Sequence, residues 1–505
     1  MAAKFSKVNI NLKNIFFFSV ILVVNFLLRI PITALGFFAL TYDQGRDLLL
    51  VSNIVYNHNL TLIGPTTGLQ GIFYGPYWYY FLTPIFQVAH GDPQIIGTIF
   101  GFLGIGTIVA TYFYLKSTLK FPLLAFLLTL IVSMSTMWMF WPTVIWNTSL
   151  VPILMVAFFY TLTQIPKNPS KLNFFLLGLI SFIIVDFEFP WGCIMILFTL
   201  ALPLLFRKHF LKKQYLFTLL GFLLVLSPRI LFNLRNNFLE LKSLVNYFNE
   251  PKIYGTVLPL WQRVIQRLDV YLGNFSESFS HSDKLLGLMI LFFLLLTVSL
   301  LIKYDRAAWK KLKSDFIFKC SLALVIFSLI FFSFFKDIVW DYYLIGFPLT
   351  SLVIISRIFN FSYKSKRYPK AATWLAILAL LILNLNSQLL HPFTVSWLGD
   401  GGTYRNEKAV MDYIAAQKPH NYTIYAYSHA IFDYPFDYLI SWYTRSGKIE
   451  KPQTYSRLFY MIIREANDDR YLRIGWYGDK TRDKTKVLEQ KHFTGNLLLE
   501  KHERF

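Results

Sequence analysis

Long apolar runs separated by short charged stretches dominate this chain up to about residue 390. The first run covers 14–40. Others follow near 93–115, 121–140, 148–165, 172–185, 192–206, 215–232, 285–302, 320–335, 342–355 and 372–390. A helix needs ~20 apolar residues to cross the hydrocarbon core of a bilayer. In lipid only helices and closed barrels satisfy their own backbone polar groups. The pattern predicts an all-α polytopic membrane protein with about eleven spans. Two segments between runs are long and more polar, 41–92 and 233–283. From His391 onward charges are frequent and no run reaches membrane length. There the spacing predicts helices over 407–417 and 434–443 and strands over 422–428 and 458–464, a small α/β unit. The expected organisation is a membrane domain over 1–390, with a first outer loop at 41–92, and a C-terminal soluble domain over 391–505.

Loop charge sets the expected topology. Lys4, Lys7 and Lys13 precede the first run. Alternate loops carry Lys116 and Lys120; Lys167 and Lys171; Arg207, Lys208, Lys212 and Lys213; Lys303 to Lys319; and Arg357 to Lys370. The opposite loops carry Asp43, Asp47, Asp92, Asp186, Glu188, Asp337 and Asp341. This is the positive-inside pattern. It predicts a cytoplasmic N-terminus in the cell (plasma or inner) membrane and, with an odd number of spans, an extracytoplasmic C-terminal domain. The chain is 55% hydrophobic with a net charge of +21. Because the basic residues sit in these loops, the charge fits an anionic inner leaflet and argues against nucleic acid. The two cysteines, Cys193 and Cys320, fall on different predicted helices, so no disulfide framework is expected. No His/Cys spacing suits zinc, and the pairs His281/Asp283 and His391/Asp400 read as loop residues.

Candidate chemistry concentrates in the outer segments. Thr41-Tyr42-Asp43-Gln44-Gly45-Arg46-Asp47 opens into an apolar stretch, Leu48 to Val51. In a helix Asp43 and Asp47 share a face, and Arg46 lies one turn from Asp43. Such a helix, starting with carboxylates, suits the membrane surface. Gly64-Pro65 and Tyr74-Gly75-Pro76-Tyr77 mark turns before another apolar helix. Asp186 and Glu188 stand alone in an apolar setting, where ionisable groups usually face a cavity. Arg229 and Arg235 lie near an outer helix end, where a snorkelling arginine is the plainer reading.

These segments resemble the GT-C glycosyltransferase superfamily, and most closely the branch with protein O-mannosyltransferases, aminoarabinose transferases and bacterial family 39-like chains. The resemblance rests on Tyr42 to Asp47, Leu62-Ile63-Gly64-Pro65, Tyr74-Gly75-Pro76, Trp146-Asn147 and Pro228 to Arg235, in that order along the membrane part. It implies a sugar transferred from a polyprenyl-phosphate donor to a lipid, glycan or protein acceptor on the outer side, with inversion. It implies Asp43 as base with Asp47 secondary, and Arg46, Arg229 or Arg235 for the donor phosphate. Asp186, Glu188 and Asn147 are candidates for the acceptor site or a second acid, and Tyr74 and Tyr77 for a substrate loop. Two departures stand out. Some relatives carry a Lys before the Pro of the Gly/Pro-aromatic segment, where this chain has Tyr74-Gly75. Some carry a second acid where this chain has Trp146-Asn147, which speaks against a two-carboxylate metal site. The resemblance leaves room for a divalent cation and requires none. The reading from a different class is a lipid or polysaccharide transporter, for which paired halves or broken helices at matching positions are expected.

Overall fold

Each apolar run is mostly helix in the computed structural model, which describes residues 12–210, 212–249, 258–280, 283–388, 399–427, 432–465 and 470–505. Lys4, Lys7, His281, His391 and the expected 390/391 domain boundary lie outside the described residues. The first span is α1 (Leu12–Ala34), followed by two outer-loop helices, α2 (Tyr42–Asn57) and α3 (Tyr77–Val88). Next come α4 (Pro93–Thr118), α5 (Pro122–Ser133), α6 (Thr136–Phe140), α7 (Val151–Gln164), α8 (Lys171–Phe187) and α9 (Phe189–Leu205). A short basic helix, α10 (Arg207–Phe210), leads to α11 (Leu216–Arg235). The second long outer segment folds into α12 (Leu239–Asn249) and α13 (Leu260–Phe279). The membrane part closes with α14 (Lys284–Tyr304), the basic α15 (Arg306–Ser314), α16 (Phe316–Phe334), α17 (Phe347–Tyr363) and α18 (Arg367–Gln388).

This is a multi-pass membrane protein, but its spans are uneven. Among the described residues five helices are long and apolar enough to cross a bilayer, or six if the 122–133 and 136–143 helices, bent by 80°, form one span. The run expected as one helix over 121–140 is therefore broken. A break leaves backbone carbonyls without helical partners, and in lipid these must be satisfied by neighbours. Arg29, fully buried on α1, does this: its Nη2 donates to the carbonyls of Ser133 (3.1 Å) and Trp138 (2.8 Å) on either side of the break.

The C-terminal α/β unit contains α19 (Tyr404–Ala416), β1 (Tyr422–Tyr427), α20 (Tyr434–Arg445), β2 (Leu458–Arg464), α21 (Arg470–Lys480), β3 (Thr485–Phe493) and β4 (Leu497–Arg504). Its sheet runs β1-β2-β4-β3. β1 and β2 are parallel, joined through α20, and β4 pairs antiparallel with both β2 and β3. The last three elements go beyond the sequence expectation.

The unit docks on the first outer loop. Leu40 N–H donates to the Gly402 carbonyl (2.8 Å), and Tyr404 N–H donates to that of Phe38 (3.0 Å). The rings of Phe38 and Tyr404 stack at 5.0 Å. α20 lies across α2: Arg445 bonds Ser52 and sits 4.6 Å over the Tyr56 ring, and Tyr438 OH reaches the Gly91 carbonyl. Gly45 permits the crossing, because a Cβ there would collide with backbone atoms of Tyr434 and Pro435. α2 is thus clamped between α3 and α20 rather than resting only on a membrane surface.

Candidate functional site

The start of α2 places three charges together. Gln44 Oε1 accepts from the Thr41 amide (3.0 Å) and helps close the first turn. One turn apart on one face, Asp43 and Asp47 share Arg46: Nη1 is 2.9 Å from Asp43 Oδ1, and Nη2 is 2.9 Å from Asp47 Oδ1. The two acids have different surroundings. Asp47 is fully buried and also accepts from Trp78 Nε1 (2.8 Å) and Tyr79 OH (3.4 Å) on α3, whereas the Asp43 side chain is 37% exposed. Burial pushes the Asp47 carboxyl up to about 6 even with Arg46 beside it. Burial also works against the Arg46 charge, but Asp47 and Asp43 outweigh it and hold the guanidinium above its ordinary value. Asp47 therefore joins α2 to α3 through Arg46 and Trp78, and Asp43 is the acid of this group that faces solvent.

The loop ahead of α3 folds back on itself. Gly64 N–H donates to the Tyr74 carbonyl (2.8 Å) and Tyr74 N–H to that of Pro65 (2.9 Å). Gly75 follows, pressed against the Asp186 carboxylate where a Cβ could not fit. Asp186, near the end of α8, lies against the amides of Gly75 and Tyr77 at the start of α3, where a helix N-terminus favours an anion. Neither of its oxygens forms a well-directed hydrogen bond. Arg229 of α11 bonds the Phe73 carbonyl, stands 3.4 Å from Glu240 Oε1 on α12 and faces the Phe189 ring at 5.7 Å. Glu240 in turn accepts from the Phe73 amide (3.2 Å).

The other sequence candidates are scattered. Asn147 is buried, and its Nδ2 donates to the Phe187 carbonyl at the end of α8 (2.7 Å). Tyr77 OH lies 3.4 Å from the Leu224 carbonyl. Arg235 is exposed and makes no ion pair among the described residues. Glu188, between α8 and α9, is fully buried, and both its oxygens lack a hydrogen-bond partner among the described residues. The Asn147–Phe187 hydrogen bond ties the residue before Glu188 to the residue after Trp146. Among the described residues no three His, Cys, Asp or Glu side chains are placed to hold a metal ion.

On the far side of Tyr74 opens a cavity of about 990 Å³. Tyr74, Cys193, Asn246, Tyr247, Trp340 and Tyr343 are among its lining. From it an aromatic series continues: Tyr343 to Tyr342 (4.8 Å), Tyr342 to Trp146 (5.1 Å) and Trp146 to Trp141 (5.4 Å). Sequence reasoning missed Trp78, Glu240 and Tyr342 as parts of this region, and named Trp146 only as part of a motif. The aromatic run after Pro76 and the position of Tyr342 at the head of a run both suit interfacial rings, so only the tertiary contacts reveal them.

No family model and no curated protein sequence matches this chain. Among solved structures it is similar to ArnT from Cupriavidus metallidurans bound to undecaprenyl phosphate. That match has a TM-score of 0.54 and 12% identity, covering 96% of this chain and 97% of that one. It is also similar to the archaeal oligosaccharyltransferase AglB from Archaeoglobus fulgidus in complex with an inhibitory peptide and a dolichol phosphate. Here the TM-score is 0.44 and the identity 11%, over 81% of this chain and 58% of that one. The first match extends over nearly the whole of both chains and shows a GT-C-like polytopic fold with a small C-terminal α/β unit.

Proposed function

We propose that this chain is a membrane glycosyltransferase that moves a sugar from a polyprenyl-phosphate donor to an acceptor on the outer side, with inversion and with Asp43 as base. The reading is carried by two features of the first outer loop, a partly exposed carboxylate held by Arg46 and a large cavity lined by Tyr74. The ArnT structure of similar fold is bound to undecaprenyl phosphate, the kind of lipid this assignment requires. In the proposed step Asp43 takes the proton of an acceptor hydroxyl. The hydroxyl oxygen bonds to the anomeric carbon from the face opposite the phosphate, and the carbon–oxygen bond to phosphate breaks with its electron pair. The leaving phosphate gathers negative charge and calls for a cation. Of the three arginines, Arg46 is already shared by two acids and Arg235 is exposed at the C-terminal end of α11. Arg229, beside the cavity-lining Phe189, is the assigned partner.

The direct test is transfer or release of labelled sugar from a polyprenyl-phosphate donor by purified protein. Lipid movement across the bilayer without any sugar transfer would favour the transporter reading instead. Arg229→Ala should weaken donor binding about tenfold, the loss of one charge-assisted contact, while Arg235→Ala leaves it unchanged. If Arg46→Ala, Arg229→Ala and Arg235→Ala all bind donor as wild type does, the phosphate site lies elsewhere.

We also assign residues 1–390 to the membrane domain and 391–505 to an extracytoplasmic domain in the cell membrane, on the basic-loop pattern. A reporter active only outside the cytoplasm should work when fused after Phe505, and a cytoplasmic reporter should work after Lys213 or Lys370. Cytoplasmic activity at Phe505 would reverse the assigned orientation.

A further inference from the structure

Glu188 is a fully buried carboxyl group with neither oxygen hydrogen-bonded among the described residues. An unsatisfied buried polar group typically lowers stability by about 1–3 kcal/mol, and one retained in a fold calls for an explanation. Its surroundings suggest one. Phe189, Pro190 and Cys193, which follow it, line the large cavity, as do Tyr74 and Tyr343, and Phe187, which precedes it, accepts a hydrogen bond of 2.7 Å from Asn147, the residue after Trp146. Next to Tyr343, the half-buried rings of Tyr342 and Trp146 meet at 5.1 Å with 55° between their planes. Trp146 keeps part of its indole face exposed, whereas Trp138 and Trp191 in the same bundle are fully or almost fully buried. A wall of aromatic faces beside a few polar groups is how pockets orient small amphipathic ligands. A sugar ring is such a ligand: its C–H face suits the rings, and a pair of vicinal hydroxyls suits a carboxyl group with two free oxygens.

We infer that Trp146, Tyr342 and Glu188 form the subsite that holds the ring of the transferred sugar, gripping a pair of its vicinal hydroxyls. This rests on the donor reading above and adds to it the recognition of the sugar itself. Tyr343 lines the cavity assigned to the lipid phosphate and Tyr342 packs against it at 4.8 Å, so a ring held between Tyr342 and Trp146 lies beside that cavity.

The test measures binding of decaprenyl phosphate, bare or carrying glucose, mannose or arabinose, to the purified full-length protein in lipid nanodiscs. The wild type should bind at least one sugar-bearing lipid about tenfold more tightly than the bare lipid, the worth of a few polar contacts. Trp146→Ala and Glu188→Leu should each remove that margin and leave bare-lipid affinity intact, which also reports that the variant is folded. Trp146→Phe should keep most of the margin. Glu188→Leu should melt no lower than wild type without ligand, since it replaces an unpartnered buried carboxyl with an apolar group of similar size; a clear fall in melting temperature would make Glu188 a structural residue instead. A margin that survives either Trp146→Ala or Glu188→Leu overturns the joint subsite while leaving the donor reading standing. So does a wild type that binds all four lipids equally. A wild type that binds none of them removes the donor reading itself.

Discussion

Asp43→Asn should fold, reach the membrane and bind donor, yet lose sugar transfer by at least about a hundredfold, the scale of general-base catalysis. A hydroxyl is a weak nucleophile until its proton is taken, and asparagine cannot take it. The substitution keeps the size and much of the hydrogen bonding of the side chain, so the start of α2 has little reason to move. Arg46 retains Asp47 through two contacts of 2.9 Å, and Asp47 retains Trp78 at 2.8 Å. Asp47→Asn should act differently. Asp47 is fully buried and receives donors from α2 and α3, so its loss leaves Arg46 and Trp78 poorly paired and falls chiefly on stability. Single-turnover transfer with pre-bound donor separates the chemical step from binding. Near-normal turnover of Asp43→Asn, combined with loss of turnover in Asp186→Asn, would move the base to the end of α8.

The features that were legible in the sequence are those set by local spacing. The apolar runs announced the helices because lipid demands length and apolarity together. The Asp43, Arg46 and Asp47 group was legible because helical spacing of three and four residues makes neighbours of them. What could not be read depends on partners distant in the chain. The break between α5 and α6 is tolerated because Arg29 on α1 takes the exposed carbonyls, a relation no window around Met134 contains. Glu240, in the second long outer segment, meets Arg229 and the Phe73 backbone only when α12 folds back over the first loop. The β3–β4 hairpin was missed for a related reason. β3 is largely exposed and rich in charge, and β4 joins three leucines to Glu500, Lys501 and His502, so neither shows clean alternation. Trp78 and Tyr342 sit where interfacial rings are commonplace, and composition gives no sign that one holds Asp47 and the other adjoins Trp146.

Gly45→Ala should lower both the melting temperature and the rate of transfer, with transfer falling on the order of a hundredfold while donor affinity changes little. Gly45 lies between Asp43 and Arg46 on α2, and α20 of the C-terminal unit crosses directly above it. The added methyl group would meet main-chain atoms of Tyr434 and Pro435, which cannot turn aside as a flexible side chain can. Inserting even one carbon into such a contact typically lowers stability by ~1–3 kcal/mol. Relief requires α2 and α20 to separate, and Asp43 moves with α2. A displacement of about 1 Å at a reacting group can reduce rate about a hundredfold. The cavity assigned to the donor is lined by other elements, so bare-lipid binding should persist. Gly106→Ala is the matched control, since a Cβ there meets nothing within 4 Å. If Gly45→Ala melts and transfers as Gly106→Ala does, α20 does not hold α2 in place, and the C-terminal unit has no part in positioning Asp43.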